Sequence, residues 1–71
     1  MKYYFNINMT YDDFLPYYQG IINVVVVIST EGQRIRFPAM HIKQYLMSTG
    51  IKGHFCMYTE NNKFVSLEKM S

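Results

Sequence analysis

Three side chains in this sequence are of the types that bind transition metals: His41, His54 and Cys56. The thiol of Cys56 would also be a nucleophile if a histidine activated it. A structural zinc site needs four such ligands with close paired spacing, so the set is too small. His54 and Cys56 are two residues apart on a predicted strand, where their side chains stand roughly 7 Å from each other, too far for a direct hydrogen bond. We therefore predict no metal site, no cofactor and no catalytic residue, with Cys56 a small core residue and His54 an edge or rim residue.

Asp12 and Asp13 are adjacent carboxylates that resemble an acid/base pair. Consecutive positions of a helix point about 100° apart, so the two groups cannot work on one substrate atom from a helix. They follow Thr10, a good N-cap residue, and carboxylates in a first turn complement the positive end of the helix dipole. We interpret them as helix-start residues and expect that the protein is not an enzyme.

Arg34 and Arg36 alternate with apolar residues, so a strand would place both guanidinium groups on one face. A phosphate or carboxylate ligand would fit there, and Lys43 and Lys52 would join the site if the fold brings them near. The plainer interpretation, which we favour, is that the two arginines form the solvated face of a hairpin and protect an edge strand from aggregation.

The chain has few charges for its size. Charged residues make up 17% of the sequence and aromatic residues another 17%, with a net charge of +2. Two interpretations stay open: either a small protein simply cannot bury so many aromatic side chains, or the exposed ones form a partner surface or a homodimer interface. A net charge this small neither indicates nor excludes nucleic acid.

The elements that must position these residues begin with a strand, in which Tyr3, Phe5 and Ile7 alternate with more polar side chains. A short helix is predicted over 11–19, interrupted by Pro16. The apolar run 21–28 contains four consecutive valines and does not alternate, which predicts a central strand, about 21–29, with both faces covered. It turns through Glu31 and Gly32 into a strand over 34–37.

The second half of the chain repeats this arrangement more loosely. A helix is predicted over 39–48, started by Pro38 and with Ile42, Tyr45 and Leu46 facing the core. Two strands follow, over 53–59 and 63–69, joined through Asn61 and Asn62.

These elements form one α+β domain, residues 1–71, in the order β-α-β-β-α-β-β. We expect a five-stranded, mainly antiparallel sheet, either open or curled toward a small barrel, with two short helices packed on it.

The cysteine count and the apolar runs bear on the compartment. Cys56 is the single cysteine, so no intrachain disulfide can form, and no signal peptide precedes Tyr3. The apolar run 21–28 is far shorter than the roughly 20 residues that span a bilayer. We expect a cytoplasmic protein that does not enter a membrane.

Several blocks of the sequence resemble a known family. They are 3–5 (YYF), 14–20 (FLPYYQG), 37–41 (FPAMH), 50–55 (GIKGHF) and 62–68 (NKFVSLE). In this order they resemble a short, uncharacterised proteobacterial family catalogued among domains of unknown function, whose members contain little else. The resemblance implies a free-standing bacterial cytoplasmic protein and carries over no functional residues.

We therefore predict a non-catalytic interaction module that works through a protein partner or through self-association. The alternative is a nucleic-acid-binding accessory protein that uses Arg34, Arg36 and neighbouring lysines together with exposed tyrosines. The two differ in where the basic residues lie, because a single stripe flanked by aromatic residues favours nucleic acid.

Overall fold

The computed structural model describes residues 1–71 and has an α+β architecture with five strands. The elements in chain order are β1 (Lys2–Met9), α1 (Tyr11–Tyr18), β2 (Val24–Ile28), β3 (Arg34–Pro38), two 3₁₀ turns (Ala39–His41 and Lys43–Tyr45), β4 (Ile51–Glu60) and β5 (Lys63–Lys69). The predicted order of elements is confirmed. None of the helices is long and apolar enough to cross a membrane.

The larger sheet is three-stranded and antiparallel, in the order β1-β4-β5. Phe5 lies opposite Phe55 and Met57 lies opposite Leu67, so the apolar residues of the three strands share one face. Asn61 and Asn62 both have positive φ angles, 53° and 62°, as the tight turn between β4 and β5 requires. The predicted turn is confirmed.

Strands β2 and β3 form a separate two-stranded antiparallel sheet, in which Val25 lies opposite Phe37 and Val27 opposite Ile35. The five strands thus form two sheets rather than the single sheet expected, and the sheets are not closed into a barrel. One backbone hydrogen bond, from the Thr30 N–H to the Tyr4 C=O at 2.7 Å, links this hairpin to the edge of β1. Beyond this hydrogen bond β1 and β2 separate, and a gap of about 350 Å³ lies between residues 6–9 of β1 and residues 25–28 of β2.

The core lies between the inner face of the three-stranded sheet and the inner face of the hairpin. Phe5 is at its centre, because its ring stacks on Phe37 of the hairpin at 5.7 Å and on Phe55 of the neighbouring strand at 6.0 Å between ring centroids. Phe14 of α1 and Ile42 of the 3₁₀ segment complete the core. Offset aromatic pairs of this kind contribute about 0.5–1.5 kcal/mol each beyond their burial.

Helix α1 begins as predicted. The Asp13 N–H donates to the Thr10 hydroxyl at 3.1 Å, and both aspartates lie in the first turn. Pro16 was expected to interrupt the helix, but α1 runs continuously to Tyr18. The missing N–H of Pro16 would have bonded the carbonyl of Asp12, and Asp12 is exposed, so water can satisfy that carbonyl.

The predicted helix over 39–48 differs from the structure in its length and in its type. The segment forms two 3₁₀ turns, whose hydrogen bonds join residues three apart, for example from the Ile42 N–H to the Ala39 C=O at 3.1 Å. Ala39, Ile42 and Tyr45 are also three apart, so a helix with three residues per turn places all of them toward the core. An isolated α-helix this short has little stability of its own, so packing decides the geometry.

Candidate functional site

The side chains of β2 alternate between the core and solvent. Val25 is 2% exposed, whereas Val24, Val26 and Ile28 are 38%, 46% and 60% exposed. The expectation that both faces of this strand are covered is therefore wrong. Covering the outer face would need a third layer, and a 71-residue chain cannot supply one.

The neighbouring strand places positive charge beside these apolar side chains. The register sets Val26 opposite Arg36 and Ile28 opposite Arg34. Both arginines are exposed, while Ile35 and Phe37 are buried on the other side of β3. The prediction that Arg34 and Arg36 share one face is confirmed. We call the five exposed residues Val24, Val26, Ile28, Arg34 and Arg36 the hairpin face.

The residues before β2 extend the exposed apolar surface. Ile21 is 74% exposed and Ile22 is 42% exposed, and both lie between the end of α1 and the start of β2. Exposed apolar residues scattered over a surface need no explanation, but residues 21–28 carry five of them in one short segment.

Arg34 and Arg36 also line a hollow of about 330 Å³, which we call the arginine hollow. One wall is the edge of β3, and the other is formed by the three-stranded sheet and its turn. The lining residues are Tyr3, Gln33, Arg34, Ile35, Arg36, Met57, Thr59 and Asn62. No carboxylate is among them, so nothing in the hollow neutralises the two guanidinium groups.

Lys43 and Lys52, the other two predicted anion contacts, do not line the hollow. The Lys43 ammonium lies 5.6 Å from the centre of the Tyr18 ring, a cation–π contact at the end of α1. Lys52 lies on β4 opposite Asn8. The fold therefore brings Arg34 and Arg36 together but does not add either lysine to their site.

The residues first considered for chemistry lie apart from one another. The His41 ring stacks on Phe64 with 3.9 Å between ring centroids, and His54 is exposed on β4. No group of three or more histidine, cysteine, aspartate or glutamate side chains could hold a metal ion.

Cys56 is buried, as expected of a small core residue, but it lies on the opposite face of β4 from the core cluster. It is 8% exposed and is not part of the core cluster. Its register neighbours are Tyr4 and Glu68, and it lines a shallow groove of about 370 Å³ with them and with Tyr58. The strand's alternation decides its side, because Phe55 and Met57 on either side of it point into the core.

Sequence reasoning found the two arginines but missed the hollow. The contributions of Tyr3, Met57, Thr59 and Asn62 depend on how the hairpin lies against the three-stranded sheet. The one signal in the sequence was the length of the chain. A chain this short forms few strands, and a hairpin that lies outside the larger sheet must have a free edge.

The model of a protein family described as "Protein of unknown function (DUF2835)" matches residues 1–70. No curated protein and no solved structure matches the chain.

Proposed function

We propose, since the chain belongs to the DUF2835 family of proteins of unknown function, that its role is carried by its surface and is the non-catalytic binding of another protein. In this proposal the partner covers the hairpin face. The same proposal places the protein in the bacterial cytoplasm, where its single cysteine, Cys56, stays reduced.

The observation that carries the proposal is the row of exposed β-branched side chains on β2: Val24, Val26 and Ile28. Strand residues that point into water are usually polar, and exposed apolar edge strands tend to associate with other chains. The adjacent arginines give this row the mixed character of many interfaces, in which an apolar centre is flanked by charge.

The arginines favour a different protein over a second copy of this chain. A two-fold symmetric dimer through the hairpin face would bring the same surface of both copies together. Arg34 and Arg36 of each copy would then share one interface with no carboxylate on the face to pair with them. Like charges in such positions oppose association, so self-association is the less favoured form of the proposal.

Binding of nucleic acid remains the alternative prediction. Of the four residues predicted to contact it, Arg34 and Arg36 lie together, but Lys43 lies beside Tyr18 and Lys52 lies on β4. The hairpin face also has no aromatic side chain on which a base could stack. These two features favour a protein partner over nucleic acid.

Affinity capture from a lysate of cells that encode the protein tests the proposal. The bait proteins are the parent, the double variant Val26→Ser with Ile28→Ser, and the control Val65→Ser, which changes a valine that is 50% exposed on β5. We expect a protein partner that resists nuclease treatment, is lost with the double variant and is retained with the control. A partner retained equally by all three baits would contradict the proposal, as would one released by nuclease.

A further inference from the structure

We propose that the partner contributes an extended, acidic segment that binds in the arginine hollow as an added strand along the free edge of β3. This inference rests on the proposed function and names the chemistry of the partner. It combines three features of the hairpin and its hollow: an edge with unpaired backbone groups, two arginines with no carboxylate in the hollow, and two buried apolar side chains, Ile35 and Met57, among the lining residues.

The hydrogen bonds of the hairpin show which backbone groups of β3 are unpaired. The Ser29 N–H donates to the Gln33 C=O at 2.8 Å, and the Ala39 N–H donates to the Asn23 C=O at 2.8 Å. Bonded pairs in an antiparallel ladder recur at every second residue, so Ile35 and Phe37 are the residues of β3 that bond to β2. The N–H and C=O groups of Arg34 and Arg36 therefore point away from β2.

The arginine hollow lies on that unpaired side. Gln33 and the first three residues of β3, 34–36, line it, and no residue of β2 does. Pro38 marks one end of the usable edge, because the edge position after Arg36 has no N–H to donate. An added strand would thus pair with Arg34 and Arg36, as in other cases where a peptide extends an exposed sheet edge.

The side chains around the edge define the sequence of the segment. Directly opposed residues in neighbouring strands point to the same face of the sheet, so residues opposite Arg34 and Arg36 would lie beside the guanidinium groups. Carboxylates are the natural partners there, because guanidinium–carboxylate pairs form charge-assisted hydrogen bonds. The residues between them would point inward toward Ile35 and Met57, which are both buried and apolar. The segment therefore alternates acidic and apolar residues.

Two other interpretations of the same residues give different outcomes. If the arginines only protect the edge from aggregation, no extended segment binds at all. If the partner strand enters the gap between β1 and β2, it pairs with the outward-facing backbone groups of Asn6 and Asn8 instead.

Binding of synthetic peptides to the full chain tests the inference. The probe is an acetylated and amidated peptide that alternates valine and glutamate over about six residues, a usual strand length. The controls are a peptide of the same composition in blocks, one with lysine in place of glutamate, and a single-stranded oligodeoxythymidine. We expect the alternating acidic peptide to bind most tightly, as measured by fluorescence anisotropy.

Variants of the protein then locate the site. The double variant Arg34→Gln with Arg36→Gln should bind the peptide about tenfold more weakly, because two exposed charge pairs are lost. The control Lys52→Gln with Lys63→Gln removes the same charge from other positions and should change binding little. Equal losses in both double variants would overturn the assignment, because only net charge would then matter.

The backbone pairing has its own readout. Two further peptides carry N-methyl groups on either the glutamate or the valine amides, and only one set of amides faces β3 in any regular pairing. One methylated peptide should lose binding about tenfold and the other should not, since only one of them loses its backbone hydrogen bonds to β3. Hydrogen exchange should slow at the amides of Arg34 and Arg36 when peptide is added. Slowing at Asn6 and Asn8 instead, or equal binding of both methylated peptides, would overturn the proposal.

Failure here is distinguishable from failure of the proposed function. If the captured partner depends on Val26 and Ile28 but the acidic peptide does not bind, the partner uses the hairpin face without adding a strand. If oligodeoxythymidine binds more tightly than the peptide and depends on Arg34 and Arg36, the nucleic-acid alternative replaces both proposals.

Discussion

Val25 and Val26 are consecutive residues of β2, yet Val25 is 2% exposed and Val26 is 46% exposed. Their side chains point to opposite faces of the same strand, one to the core and one to the hairpin face. The two valines have the same intrinsic preferences, so a difference in their response to substitution reports the position alone.

Replacing each valine by aspartate measures this difference. Val25→Asp should unfold the protein, because burying an unpaired carboxylate costs several kcal/mol and the whole domain is stable by about 5 kcal/mol. Val26→Asp should melt within a few degrees of the parent, since its carboxylate stays in water beside Arg36. Thermal melts followed by circular dichroism compare the variants. Unfolding of both variants would mean that β2 is covered on both faces, and melting of both close to the parent would mean that Val25 is not in the core.

Hydrogen exchange of the free protein should show the same alternation in the backbone of β3. The amides of Ile35 and Phe37 bond to β2 and should exchange slowly, whereas those of Arg34 and Arg36 should exchange near the rate of an unprotected amide. Residue-resolved NMR exchange measures all four in one sample. Protection at Arg34 and Arg36 in a monomer would show that the edge of β3 is already paired.

Local signals in the sequence predicted the elements that local physics determines. The alternation of Tyr3, Phe5 and Ile7 predicted a strand, and the pair Asn61–Asn62 predicted a tight turn with positive φ angles. Thr10 predicted the start of α1, which its hydroxyl caps. Each of these depends on neighbouring residues alone, so a single sequence suffices.

Features that depend on the number of layers were not predictable in this way. A run of four valines is typical of a strand buried on both faces, and only the absence of a third layer leaves Val26 exposed. Likewise the spacing of Ile42 and Tyr45 suits both an α-helix and 3₁₀ turns, and packing selects the latter. The arginine hollow belongs to this class, because Asn62 reaches it only through the placement of the hairpin.

Gly50 should be the least replaceable glycine of the chain. It has a φ of 109°, and a Cβ there would clash with the carbonyl oxygen of Met9 and the backbone of Thr10. Gly32 also has a positive φ, 86°, but a Cβ there meets nothing. Gly32→Ala should cost about 1–2 kcal/mol for the left-handed backbone, and Gly50→Ala should cost clearly more. If urea titrations gave the same loss of unfolding free energy for both variants, the close approach of Gly50 to the end of β1 would be contradicted.

Cys56 and Val25 offer a test of which face of the sheet Cys56 occupies. Cys56→Ser and Val25→Thr both add a hydroxyl with little change in volume. Val25→Thr places it in the core and should cost about 1–3 kcal/mol. Cys56→Ser places it beside the outer groove and outside the core cluster, and should cost less than about 1 kcal/mol in urea unfolding. A larger loss of unfolding free energy for Cys56→Ser than for Val25→Thr would show that Cys56 lies in the core.

Binding of nucleic acid should be weak and sensitive to salt. At about 150 mM salt the Debye length is about 8 Å, so separated basic residues such as Arg36, Lys43 and Lys52 act almost independently. If Arg34 and Arg36 contact phosphates of duplex DNA, changing both to alanine should lower the slope of log affinity against log salt by about two. Both side chains are exposed, so the fold should survive the change. Tight binding at this salt concentration, lost in the double variant but kept in a Lys69→Ala control, would establish the nucleic-acid alternative over a protein partner.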